Sequence, residues 1–322
     1  MYTRKVKGDE QMSVVMLSVR DIRSVMTWEH AIEALREGHF GARPSTEDLL
    51  LQNGPFSLFS RGVILPGYGG GVKVASIFPP NAQKEKPLPT EDAIFVVVNE
   101  ETKAISCILD GPEITRWKTA SDSALASALL SANDSRTLLV IGAGPIALAL
   151  AQAHLHVRPS IERIMLWNRT PQKLDAIAPT LRQSGRAVDV VADVDEAVAQ
   201  ADIISAATGS TSPIIKGRFL KAGAHVDLVG GYRPDMREAD DDVIARSDVF
   251  VDFTDTAIEA GDIAGAIANG SLTRNDIKGD LFDMVRAAPK RSGKATVFKN
   301  AGGAHLDLLV ALAVAKELGA SV

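Results

Sequence analysis

The stretch Arg136-Thr-Leu-Leu-Val-Ile-Gly142-Ala-Gly144-Pro145-Ile146-Ala147 decides the fold. An apolar run ends in a glycine turn, and the helix-forming run Leu-Ala-Leu-Ala-Gln follows at once. That order is strand, tight turn, helix, the opening of a dinucleotide-binding unit. Gly142 lets the chain turn. Gly144 leaves room for backbone to approach a pyrophosphate. Ala147, in the third small position, lets the helix pack close to the strand. Free N–H groups at the helix start, with Pro145 and Ile146 in its first turn, carry partial positive charge toward phosphates.

A second strand, Ile161-Glu-Arg-Ile-Met-Leu-Trp167, follows that helix. Its end is where such a unit reads the adenosine ribose. An acid there would bind a 2′-hydroxyl, but this chain has Asn168-Arg169-Thr170. Arginine pairs with a 2′-phosphate and a carboxylate would repel it. NADP(H) is therefore expected over NAD(H), with NAD(H) still possible. Thr208 and Gly230, each just past a later strand, complete the cofactor candidates.

Working outward, further strands are expected at Thr137–Ile141, Arg163–Trp167, Ala187–Val191, Ile203–Ala207, His225–Val229, Val249–Asp252 and Ala295–Lys299. Helical segments alternate with most of them, which makes a doubly wound parallel α/β sheet. Upstream, Ser18 and Thr27 are helix N-caps, the second opening a helix to about His39. Short apolar runs at Ser57–Leu65, Gly71–Phe78, Ala93–Asn99 and Ala104–Leu109 alternate with turns and predict an antiparallel or mixed sheet. A helix is expected over Ser121–Leu130, and another over the apolar segment Ala304–Leu318.

The chain's 322 residues suit two domains. Apolar residues at 46% and charged residues at 23% are ordinary for a globular protein. The net charge of −5, spread without a basic block, gives no footprint for nucleic acid or an anionic membrane. Cys107 is alone and lies in an apolar run, so it is expected in the core. Met1–Glu10 is polar and reads as a frayed extension, not a signal peptide or anchor. A cytoplasmic location is expected, and no metal site.

Several segments now matter together: Gly71-Val-Lys73-Val-Ala-Ser-Ile-Phe-Pro79-Pro-Asn81, Leu88-Pro-Thr90, Leu109-Asp-Gly111, Thr115-Arg116-Trp-Lys118-Thr119-Ala120 and Val297-Phe-Lys-Asn-Ala-Gly302-Gly-Ala. In this order, with the glycine turn and Trp-Asn-Arg-Thr, the chain resembles the ornithine cyclodeaminase/mu-crystallin family from about Met16 to the last helix. The resemblance implies an N-terminal α+β substrate and dimerisation domain, residues 1–120, to which residues 301–322 return. Residues 121–300 would be the Rossmann domain. It implies a homodimer, and an active site between the domains facing the nicotinamide. Family members are cyclodeaminases, alanine dehydrogenases, and reductases of ketimines such as Δ1-pyrroline-2-carboxylate or of iminosuccinate.

The resemblance also implies site residues. Lys73, Arg43 and Lys118 would hold the substrate carboxylate, with Thr90 beside them. Lys118 stands where the family has arginine, which keeps the charge and loses the bidentate fork. Arg116 is a candidate to compensate. Cyclodeaminases carry an aspartate after the Gly-Gly of a late strand. Here Tyr232 stands at that position, in Gly230-Gly231-Tyr232-Arg233-Pro234-Asp235. Elimination of ammonia would lack its base, whereas imine reduction needs only hydride transfer and protonation. The expected activity is reduction of a small α-imino acid to an L-amino acid. A cyclodeaminase and a mu-crystallin-like ligand-binding protein remain alternatives. Arg233 and His305 are candidates to meet a second carboxylate, leaving cyclic and dicarboxylate imines both open.

Overall fold

The computed structural model describes residues 14–320. The polar extension Met1–Glu10 lies outside the described residues. The chain divides into two compact units, with breaks between Lys118 and Thr119 and between Gly303 and Ala304.

The first unit starts with β1 (Val15–Leu17), α1 (Val19–Val25) and α2 (Trp28–Phe40). Ser18 caps α1 in a capping box with Asp21, and Thr27 caps α2 through the His30 amide. Then come β2 (Ser45–Asn53), β3 (Phe56–Leu65), β4 (Gly69–Ile77), β5 (Glu91–Val98) and β6 (Ile105–Asp110). The sheet order is β1-β6-β5-β4-β3-β2, antiparallel except for the β1–β6 pair. Cys107 is buried on β6. The C-terminal helix Ala304–Glu317 packs on α2 and across β3, β4 and β5.

α3 runs over Gly111–Leu130, ten residues earlier than the start expected from periodicity. Asp110 explains this: its carboxylate accepts the Glu113 amide at 2.8 Å, and Pro112 sits in the first turn. Thr115 and Lys118 are therefore helical residues. β2 was not expected either. Its pattern does not alternate, because nearly every residue on both its faces is exposed.

The second unit holds β7 (Thr137–Ile141), α4 (Pro145–Val157), β8 (Arg163–Trp167), β9 (Ala187–Val190), β10 (Ile203–Ala206), β11 (His225–Leu228), β12 (Ser247–Val251) and β13 (Ala295–Lys299). The sheet is wholly parallel in the order β12-β13-β11-β10-β7-β8-β9. The strand order reverses at β7 and β10, and ligands of doubly wound sheets bind at the carboxyl ends beside such a point. Leu138, Val140, Ala147, Ala151, Ile164 and Leu166 form one core layer there, and the alanines bring α4 close to the sheet.

Candidate active site

Lys73 lies on β4, opposite Arg61 of β3 and Phe95 of β5. Phe95 is fully buried, and the Lys73 side chain is only 13% exposed. An ammonium so placed needs partners. It donates to Asp307 Oδ1 at 3.1 Å and to the Thr115 hydroxyl, which in turn donates to the Gly111 carbonyl at 2.8 Å. Lys118, on the same helix as Thr115, donates to the other oxygen, Asp307 Oδ2, at 2.6 Å. One fully buried carboxylate thus bridges two lysines.

Burial is the largest influence on Lys118 and lowers its pKa to about 8. Asp307 opposes that fall, while Lys73 and then Arg61 add to it. Burial pushes Asp307 the other way, but Lys118 and Lys73 outweigh it and hold the carboxyl below its usual range. Asp307 is ionised at neutral pH.

At the carboxyl edge of the parallel sheet, Gly142 has φ +127°. A Cβ there would stand 2.5 Å from the Ala207 carbonyl oxygen, so only glycine fits. A Cβ on Gly144 would meet no protein atom within 4 Å, so packing does not demand that glycine. Gly144 is the N-cap of α4 and offers no side-chain cap, which leaves the first amides of this 13-residue helix open. Pro145 occupies its first position, Ile146 is half-buried and Ala147 is buried. Asn168 donates to the Thr170 carbonyl at 2.7 Å. Arg169 is exposed and makes no ion pair among the described residues.

A second buried charge cluster lies behind this edge. Glu238 Oε1 accepts the Thr208 amide and hydroxyl at 2.6 and 2.8 Å. Lys299, fully buried at the end of β13, donates to the Gly230 carbonyl and faces Asp262 at 3.5 Å. Asp262 also accepts the Glu238 and Ala239 amides. Asp252 accepts the amides of Phe253, Ala301 and Gly302. Burial drives Glu238 up to about 7 against the pull of Lys299, and Asp252 up to about 6. These carboxylates fix the loops that carry Thr208 and Gly230.

Of the residues expected to meet substrate, the structure brings Lys73 and Lys118 onto one carboxylate. Arg43 is exposed between α2 and β2. Thr90 is half-buried before β5, its carbonyl accepting the Phe78 amide. Arg116, the candidate to compensate for the missing arginine, has partners of its own. It pairs with Glu113 at 3.0 Å and stacks over Trp28 and Trp117. Tyr232 is exposed. Arg233 pairs with Asp235 at 2.9 and 3.0 Å, so its charge is already matched. His305 departs most from expectation as a cation. It is fully buried edge-on to His39, and burial lowers its pKa well below 6.5, so it is neutral. Asp307, Thr115 and Glu238 were missed. Asp307 had a signal: an acid inside an otherwise apolar helix must have a buried partner.

The sequence profile of the ornithine cyclodeaminase/mu-crystallin family matches residues 14–320. A Δ1-pyrroline-2-carboxylate reductase of Paracoccus denitrificans is 39% identical over 306 residues, covering 94% of this chain and 96% of that protein. Among solved structures, Thermococcus litoralis Δ1-pyrroline-2-carboxylate reductase with NADH and L-proline superposes with a TM-score of 0.87 at 24% identity, covering 95% of this chain and 99% of that one. The iminosuccinate reductase of Paracoccus denitrificans with NAD+ gives 0.88 at 24% identity, covering 95% and 96%. These last two likenesses establish the fold.

Proposed function

The chain belongs to the ornithine cyclodeaminase/mu-crystallin family, and from that premise we propose that it is an NAD(P)H-dependent reductase of a small α-imino acid. The observation that carries the reading is the pair of lysines on Asp307, a buried cationic site built for an anion. Lys73 and Lys118 hold the substrate carboxylate, with Arg43 and Thr90 as further contacts. The cofactor supplies hydride to the carbon of C=N. Lys73 or a water held by it returns the proton to nitrogen, giving an L-amino acid. Charge complementarity and positioning supply most of the rate.

The residues present suit a dinucleotide. Gly142 makes the turn, Gly144 is free of packing demands, and α4 offers open amides to a pyrophosphate. NADPH is the preferred form, because Arg169 is exposed and no acid follows β8. The cyclodeaminase reading is disfavoured. Tyr232 is a phenol, and Asp235 is exposed, tied to Arg233 and held below its usual range. A homodimer is supported by the apolar surface that β2 and β3 leave exposed at Leu49, Leu50, Leu51, Phe56 and Ile64. No helix among the described residues is long and apolar enough to cross a membrane.

The test is a panel of imino acids with NADPH and NADH, followed at the nicotinamide absorbance. Stoichiometric oxidation with Δ1-pyrroline-2-carboxylate is expected. Ammonia release from ornithine at a comparable turnover, with no net cofactor oxidation, would overturn the assignment.

A further inference from the structure

Glu238 is fully buried, and its two oxygens are treated unequally. Oε1 accepts both the amide and the hydroxyl of Thr208. Oε2 is buried as well and has no hydrogen-bond partner among the described residues. The Thr208 hydroxyl, a cofactor candidate by sequence, is thus committed to Glu238, and it accepts the Ser210 amide at 3.3 Å. Its loop follows β10 and touches the glycine turn. The Ala207 amide donates to Ile141 at 2.9 Å, and Gly142 packs on the Ala207 carbonyl. Glu238 is therefore bonded to the residue next to the one that the turn touches. Gly230 and Gly231 make room for the acids: a Cβ on Gly230 would run into Glu238 Oε1, and one on Gly231 would stand 2.5 Å from Asp262 Oδ2. Lys299, at the end of β13, attracts Glu238, and Asp262, on the helix Gly261–Ala268, repels it. Arg237, its neighbour in sequence, turns to Asp241 at 2.7 Å and lies 3.9 Å from Asp262. Asp252, after β12, is held by three amides and shares the field of Lys299. The segment Thr208–Ser212 carries no charge.

We infer that Glu238 takes up a proton when a dinucleotide binds, because the pyrophosphate brings negative charge to the glycine turn and Oε2 has no donor to hold it ionised. The inference rests on the dinucleotide part of the proposed function and adds a proton to that binding equilibrium. The proton comes from solvent and stays on Oε2. Oε1 keeps both Thr208 bonds in either state, so the loop holds its shape. Glu238 is a positioning residue, acting through Thr208. Burial and Asp262 already bring it to about 7 against the pull of Lys299, so a small further push suffices. Negative charge at the N-terminus of α4 is a like charge, and like charge raises a carboxyl's pKa. Binding thus favours the protonated form. Cofactor affinity is full below about pH 7 and falls as pH rises past it.

Equilibrium binding tests this without any imine. NADH is the probe, since it has no 2′-phosphate to titrate. Calorimetry at about pH 7.5 in two buffers of different ionisation enthalpy should show about 0.25–0.5 proton taken up per NADH bound. The parent's Kd for NADH should rise about twofold to sixfold between about pH 6.5 and 8.5. Glu238→Gln, whose amide oxygen still accepts from Thr208, should lose both the uptake and the rise. Binding with no uptake in the parent, or equal uptake in the variant, would overturn the inference. The infrared carbonyl band that disappears in Glu238→Gln should titrate near 7 without NADH and about half a unit or more higher with it. Equal midpoints would also overturn it. If Glu238→Gln does not fold, Asp262→Asn decides. With the like charge gone, the pH of maximal uptake should fall by about half a unit or more, and an unmoved maximum would overturn the coupling. Binding of neither NADH nor NADPH would remove the dinucleotide reading and the inference with it. Proton-coupled binding with no reduction of any imine would remove the proposed reaction and leave the inference standing.

Discussion

The two units bury opposite charge clusters, and each resolves its imbalance in its own way. Around Asp307 two lysines face one carboxylate. Around Lys299 one lysine is in the field of Glu238, Asp262 and Asp252. The acid-rich cluster sheds part of its negative charge at Glu238, which is raised to about 7, while Asp252, raised to about 6, stays largely ionised at pH 7. The lysine-rich cluster does not shed its charge at neutral pH, because Lys118 falls only to about 8. A structural cluster can settle its charge with solvent protons. The lysine-rich cluster is the one that the proposed function assigns to a substrate anion.

The largest effect that would break this contrast is on stability. Asp307→Ala removes the carboxylate that two buried ammonium groups share and should cost about 3–5 kcal/mol in urea unfolding at pH 7. A cost below about 1 kcal/mol would mean that the lysines swing to solvent, and the cluster is not a buried one. Next comes turnover. Lys73→Ala removes a charge-assisted contact of about 1.5–3 kcal/mol, so kcat/KM should fall roughly tenfold to hundredfold. NADPH affinity, measured by fluorescence titration, should stay within about twofold. Normal turnover in that variant would make Lys73 a structural lysine like Lys299.

The pH dependence sharpens the acid-rich side. With a folded pKa near 7 against an ordinary 4.5, Glu238 holds a proton that the unfolded chain has released. Its contribution to stability is full below 4.5 and is lost as pH rises to about 7, with a slope of up to about 1.4 kcal/mol per unit. Glu238→Gln should remove that share of the slope in denaturant melts. An unaltered slope would show that the proton sits elsewhere. The smallest effect belongs to an exposed charge. Arg169→Asp should weaken NADPH and improve NADH by about threefold to tenfold each, being screened by solvent. Unaltered preference would remove the 2′-phosphate role.

The parallel unit was legible because its signals are local. An apolar strand, a glycine turn and an alanine-rich helix are adjacent in sequence, and β7, β8 and β13 fall where periodicity put them. β2 was not legible because exposure on both faces erases alternation. The early start of α3 was hidden by Gly111 and Pro112, which read as a turn until the Asp110 cap is seen. In the site, Lys73 and Lys118 stood out by motif, but their shared partner is remote in sequence. Nor could periodicity tell that Arg116 is committed to Glu113 and two indole rings, or that His305 is buried beyond protonation.

The first unit is interrupted, its closing helix following the whole of the second. Lys118 and Asp307 are 189 residues apart along the chain. At a synthesis rate of about 5–20 residues per second, Lys118 leaves the ribosome roughly 10–40 seconds before its counter-ion, and Lys73 earlier still. The intervening parallel sheet, complete in itself, has time to form first. A nascent chain halted between residues 118 and 307 carries both lysines without their shared carboxylate. The bridged lysine pair is thus among the last features the chain can assemble, and a chain truncated before residue 307 forfeits it while keeping the residues of the parallel sheet.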